Sequence, residues 1–452
     1  MRDLIEQALK DHGAEYVEIR LEDSATTRIQ YRGRELEEIN RNSSKGGCVR
    51  ALVKGGWGFV SFNESTDLKE KVALAVRQAR LVGHEASYFS ETDPVQDTVG
   101  PLLTKDPQAV PLAEKKRLLD EYNDLIWSNE QVQTSSIGYG DSRRHVVFAD
   151  SRGSYIEQDK VDVTLRITAM ARADGDVQQA GVSLGSNGDF GVVEGRHDEV
   201  VGLAARAVAF LSAPYATGGE YTVVLDPVLA GVFIHEAFGH LSEADHVYEN
   251  DRMREIMVLG KEFGGKHLNI VDGAAVANLR GSYRYDDEGV PATKTDLVRE
   301  GILVGRLHSR ETAARMGEKL TGNARAISYQ FPPIVRMTNT YIEPQGLTFD
   351  EIIGDIKDGI YVKNWYGGMT SMEMFTFSAG EAYQIRNGRV EELLRPVVLS
   401  GNVFETLKNI DAIGNDLEMN QGGGCGKGGQ MPLPVTNGSP HIRIRKCLIG
   451  GR

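Results

Sequence analysis

Helical and strand-like spacings alternate along the first half of the chain. Residues 2–12 set Leu4, Ile5, Ala8 and Leu9 at helical spacing and predict a short amphipathic helix. From Tyr16 to Asn63 the period drops to two, so YVEIRLE, TTRIQYR, CVRALV and WGFVSF predict strands separated by polar or Gly-rich turns. Residues 66–82 return to the helical period, with Thr66 or Asp67 as N-cap. Four prolines in polar surroundings over 91–111 predict a loop or crossover before a helix at about 112–128. Strands follow through 131–190, among them HVVFAD and YIEQDKVDVTLRITAMAR, the latter ending in the turn Ala173-Asp174-Gly175. A helix over 197–213 closes this half.

Pro214–Gly219 then separates that helix from a new apolar strand, YTVVLD. Beyond it, strands and short helices alternate without a βαβ rhythm, and Asn387-Gly388 predicts a hairpin between EAYQIR and RVEELL. The predicted fold is α+β in two domains, 1–216 and 217–452, with mixed strand-rich sheets and flanking helices. Length agrees, since 452 residues exceed what one core usually holds. So does the glycine content, 51 against 14 prolines, which suits tight turns and close backbone approaches in a strand-rich protein.

Charge narrows the partners. A net charge of −13, with no long basic run, opposes phosphate backbones, so no nucleic-acid partner is expected. The first 20 residues carry acids where a secretory signal has an apolar core, and no run reaches the ~18 apolar residues of a membrane helix. Three scattered cysteines, Cys48, Cys425 and Cys447, make no disulfide framework. A reducing cytoplasm is therefore expected, where a thiolate is free to bind metal.

The chemistry concentrates in VVLDPVLAGVFIHEAFGHLSEADH. Asp226 suits a helix N-cap, Pro227 its first turn, and Val228, Leu229, Val232 and Phe233 a buried helix ending in His235, Glu236 and His240. The pattern H-E-x-x-x-H differs from H-E-x-x-H. Residues four apart on an α-helix lie about 40° apart around the axis, residues five apart about 140°. A π turn, eased by Gly239, or a break in the helix between His235 and His240 is therefore predicted, to aim both imidazoles at one metal. Two histidines and a third ligand would hold Zn²⁺ with an open position for water, and Glu236 would act as general base. The residues leave the third ligand open among His246, Glu243, Asp245 and Cys425, the last in QGGGCGKGGQ.

HEAFGH followed by acids, TGNARA (321–326) and the late Gly-Gly-Gly-Cys-Gly run together resemble the TldD/PmbA family over nearly the whole chain. The resemblance is to its metal-bearing TldD type, because PmbA/TldE-type chains lack the H-E-x-x-x-H motif. It implies a zinc-dependent peptidase of unfolded proteins or peptides, with His235, His240 and Cys425 as metal ligands and catalytic Glu236 in the C-terminal domain. It further implies a dimer, with itself or a TldE/PmbA-type chain, enclosing the site, with domain 1–216 in the cavity wall. The alternative is a regulatory or binding subunit whose metal is structural, its shell completed by Glu243 or His246. Asn323 and Arg325 are expected to bind substrate, SYRYDDEG (282–289) to be a solvated turn, the alternative being another active-site loop, and Cys48 and Cys447 to be buried small hydrophobes.

Overall fold

Alternating side chains carry the N-terminal half into unusually long strands. The computed structural model describes residues 1–371 and 373–450. After a short helix, α1 (Arg2–Ala8), the strands β1 (Tyr16–Arg32) and β2 (Glu35–Val53) pair antiparallel from Tyr16↔Leu52 to Arg32↔Glu35. YVEIRLE and TTRIQYR, predicted as two strands, are therefore one. The polar stretch between them lies opposite an equally polar stretch, Ser43–Lys45, so the ladder continues without a turn.

Next come β3 (Gly56–Phe62), α2 (Leu68–Val82), β4 (Gln96–Val99), α3 (Leu112–Trp127), β5 (Val132–Asp150), β6 (Tyr155–Ala173), β7 (Asp176–Ser186) and α4 (His197–Ser212). The sheet order is β3-β2-β1-β5-β6, with β7 antiparallel and β4 parallel to β6. The Pro-rich loop thus contains an edge strand. Strands of 17–19 residues are long enough to serve two cores. Ile19, Val49, Val72 and Val76 pack with α2 at one end, and Ile29, Leu165, Leu119, Leu203 and Phe210 with α3 and α4 at the other.

The other face of β1 is polar, and it is also buried. Glu18, Arg20 and Glu22 alternate with Val17, Ile19 and Leu21, yet all three lie at or below 4% exposure. They are covered by the segment expected to be a solvated turn. Asp286, Asp287 and Glu288 are buried: Arg50 bridges Glu18 (3.1 Å) and Glu288 (3.0 Å), and Lys160 pairs with Asp287 (3.2 Å). Asp287 and Glu288 persist there because cations on the sheet meet them, and Asp286 because it accepts from the N–H groups of Glu288, Val290 and Ala324.

In the C-terminal half, β8 (Gly219–Leu225) runs directly into α5 (Pro227–Ile234). One mixed sheet is ordered Asp358–Ser371, β8, Ile442–Gly450, Val398–Asn402, Met374–Arg386, Arg389–Leu394. Asp358–Ser371 also pairs with Met374–Arg386, which closes five of these strands into a ring. The predicted hairpin at Asn387-Gly388 is present, both residues having the positive φ such a turn needs, 47° and 74°. A six-stranded sheet, ordered Ile302–Leu303, Lys294–Arg299, Ile270–Gly273, Asn339–Ile342, Thr436–Ser439, Glu418–Asn420, lies on the other side of α5. The helix is buried on all sides, with Phe233 meeting Phe375 and Phe377 edge-on at ring-centroid distances of 5.3 and 6.0 Å.

Candidate metal centre

α5 starts where its sequence predicts. The Asp226 carboxylate accepts from the Leu229 N–H (2.8 Å), and Pro227 occupies the first turn. At His235 the helix widens into a π turn, His235–Gly239, followed by a 3₁₀ turn, His240–Ser242. The i→i+5 bonding brings the two imidazoles together, with ring centroids 5.3 Å apart and planes at 79°. The part expected of Gly239 needs correcting. Its backbone is ordinary right-handed helix (φ −57°, ψ −50°), so no conformational freedom is used there. The requirement is space, since a Cβ would stand 2.1 Å from Met337 Sδ.

Cys425 arrives from the far end of the chain on a hairpin formed by Gly424–Lys427 and Gln430–Pro434. The glycines before it pack against the N-terminal sheet rather than forming a loose loop. Ser183 Oγ of β7 donates to the Gly422 carbonyl (2.7 Å), and a Cβ on Gly422 would meet the Ser183 carbonyl oxygen at 1.9 Å. Arg280 pairs with Asp162 of β6 and donates to the carbonyls of Gln421 (3.0 Å) and Gly423. Fully buried Arg336 donates to the Cys425 carbonyl (2.8 Å). So held, Cys425 is 3% exposed, with its Sγ 3.5 Å from His240 Nε2.

His235, His240 and Cys425 offer ligand atoms all within 4.8 Å of one another. Donors bound at about 2.0–2.3 Å to one tetrahedral ion stand about 3.3–3.8 Å apart, so small side-chain movements suffice. The Glu236 carboxylate lies 3.9 Å from His240 Nε2, and its side chain is partly exposed.

The electrostatics suit a cation. Burial pushes the Cys425 thiol up, but His235 and His240 outweigh it and bring its pKa down to about 4. Burial likewise pushes the buried Glu243 carboxyl up, while His240 and Lys427 bring it down to about 2. Glu243 accepts from His240 Nδ1 (3.0 Å), which turns Nε2 toward Cys425. The buried Nδ1 of His235 has no hydrogen-bond partner among the described residues. A thiolate, two imidazoles and an orphaned ring nitrogen fit a soft-to-borderline divalent ion.

The remaining expected residues lie elsewhere. His246 is exposed and outside the cluster, and Asp245 pairs with Lys427 (2.6 Å). Asn323 and Arg325, expected to meet substrate, are buried with side-chain donors turned inward. Asn323 binds Asp272 and the Arg336 carbonyl (both 3.0 Å), while Arg325 binds the carbonyls of Met337 (2.6 Å) and Pro434 (2.7 Å). Both brace the frame under the Cys425 hairpin. The residues that sequence reasoning missed are Lys427, Arg280, Arg336 and the partnership of Glu243 with His240. Only the last left a local signal, an i,i+3 spacing across a helical turn.

Three family models match consecutive stretches of the sequence: PmbA/TldA metallopeptidase domain 1 over residues 17–81, the central domain over 105–213 and the C-terminal domain over 218–451. A Synechocystis sp. protein named a metalloprotease is 48% identical over 97% of this chain and 95% of its own. A Saccharolobus solfataricus protein named a zinc metalloprotease TldD homolog is 30% identical over 97% of each. Among solved structures, a Thermotoga maritima protein described as a candidate modulator of a DNA gyrase superposes with a TM-score of 0.81, at 18% identity and 99% coverage of both chains. TldE from Thermococcus kodakarensis gives 0.77, at 18% identity and full coverage of both. At such identity these two show a shared fold alone.

Proposed function

The chain belongs to the PmbA/TldD metallopeptidase family and is a metallopeptidase, and from that premise we propose that it is a zinc enzyme hydrolysing peptides or unfolded protein segments. His235, His240 and Cys425 hold the ion, and Glu236 is the general base. One observation carries this reading: three donors from positions up to 190 residues apart converge within 4.8 Å beside an accessible carboxylate. A zinc ion bound there would supply Lewis acidity to the scissile carbonyl and acidify a water molecule. Glu236 would take the proton of the attacking water and pass it to the leaving amine. Glu243 and Arg336 hold His240 and the Cys425 backbone in place.

We further propose that residues 217–452 form the catalytic domain and residues 1–216 a wall of its cavity. The chain acts in the cytoplasm as a homodimer or with a TldE-type chain. The buried, unpaired state of all three cysteines supports a reducing compartment, and the fold shared with Thermococcus kodakarensis TldE supports the partner class. Substrate is read mainly through its backbone, by strand pairing.

Metal content by mass spectrometry, combined with a peptidase assay, tests the site. Wild type is expected to carry about one zinc per chain, Cys425→Ala to lose it, and Glu236→Gln to keep it while losing hydrolysis. Zinc retained by Cys425→Ala, or normal turnover by Glu236→Gln, overturns the assignment.

A further inference from the structure

We propose that Glu243 and Lys427 form a positioning pair that delivers Cys425 to the two histidines, an inference that rests on the zinc assignment above. Each flanks a proposed ligand: Glu243 follows His240 by three residues and Lys427 follows Cys425 by two. A single oxygen, Glu243 Oε2, accepts from His240 Nδ1 and from Lys427 Nζ, both at 3.0 Å. The other, Oε1, accepts from the Met337 N–H (3.3 Å). The Glu243 side chain has no solvent exposure, so bulk water does not reach its carboxylate.

A carboxylate buried this way is costly unless both its partners, the ring N–H of His240 and the ammonium of Lys427, are in place. Its partners lie on the two segments that must meet, so docking the Cys425 hairpin and orienting His240 become one event. Lys427 is anchored on the histidine side by Asp245 (2.6 Å) and on the framework side by the Val335 carbonyl (3.0 Å). Immediately after it, Gly428 and Gly429 reverse the chain at φ 58° and 74°. Lys427 is thus the last side chain before the turn, close enough to Cys425 to set where its sulfur lies. A merely structural ion pair would change stability alone; a positioning pair also changes how the site takes up metal.

The test uses the full-length metal-free protein, titrated with zinc against a chromophoric chelator and separately with cobalt(II), whose thiolate charge-transfer band reports sulfur ligation. Glu243→Gln and Lys427→Met are each expected to weaken zinc binding roughly 10–100-fold. Lys427→Met is also expected to diminish the thiolate band. The double variant is expected to lose less than the product of the single losses, because both act through one arrangement. Wild-type affinity and an unchanged band in Lys427→Met, folded by circular dichroism, overturn the proposal even if its melting temperature falls. Should Glu243→Gln fail to fold, Lys427→Met decides alone. Cys425→Ala separates the two levels. If it binds zinc as wild type does, the ligand assignment fails; if it loses zinc while Lys427→Met does not, only the positioning pair fails.

Discussion

A methyl group at Gly239 would stand 2.1 Å from Met337 Sδ, and Met337 has little freedom to retreat. Its N–H is held by Glu243 and its carbonyl by Arg325, so only the thioether can move, inside a filled core. Gly239→Ala is therefore expected to cost about 1–3 kcal/mol, read as a lower urea midpoint at unchanged slope. Adding Met337→Ala removes the obstacle, so the double variant should be less destabilised than the sum of the two singles. At this scale the sequence was only partly legible. The spacing of His235 and His240 announced a distorted turn, because helical geometry alone forbids convergence otherwise. The need for glycine at 239 was invisible, because its cause lies 98 residues away. Arg325 misled for a similar reason: a guanidinium suited to a carboxylate ligand serves two backbone carbonyls of its own chain.

Among the elements, α5 is the one on which the site depends, and its start titrates. Burial pushes the Asp226 carboxyl up to about 7, although the N–H groups of Leu229 and Asn364 and the charge of Lys363 pull it down, while Glu418 adds to the rise. Tyr361 also faces it. The unfolded value is about 3.9. Between the two, the folded protein holds a proton that the unfolded chain has released, so this group makes stability fall as pH rises from about 4 to about 7. Asp226→Asn keeps a competent cap and should flatten that slope, seen in urea midpoints compared at about pH 5 and about pH 8. A slope unchanged in the variant would exclude Asp226 as its source. Element identities were well marked in the sequence, since α5 carries its cap, its proline and an unbroken apolar run. Element lengths were less so. The polar middle of β1 reads as a turn until its equally polar partner in β2 is known.

Across the whole molecule, the two halves meet through buried charge. Lys160 and Arg20 of the long sheet approach Asp287 at 3.2 and 3.9 Å, and Arg20 also donates to the Ser328 carbonyl (2.7 Å). Asp287→Ala removes the carboxylate partner of Lys160 and the nearby counter-charge of Arg20, which keeps its backbone carbonyls, and is expected to cost about 3 kcal/mol in urea unfolding. Glu194→Ala, which breaks the exposed Lys105 pair, should leave the urea midpoint nearly unchanged. Equal costs would mean that the buried contact is not what joins the halves. Alternation in YVEIRLE correctly separated an apolar from a polar face. It could not say that the polar face is covered, because the covering carboxylates lie about 265–270 positions further on. The Cys425 hairpin, clamped by Ser183, Asp162 and Arg280, has a consequence for the order of events at the ribosome. Two histidines and their glutamate are translated 185 residues or more before the cysteine that faces them. On the proposed assignment, a growing polypeptide carries the cutting motif without being able to cut. The blade is set only after residue 425 has been made, and a product terminated before that point is born harmless.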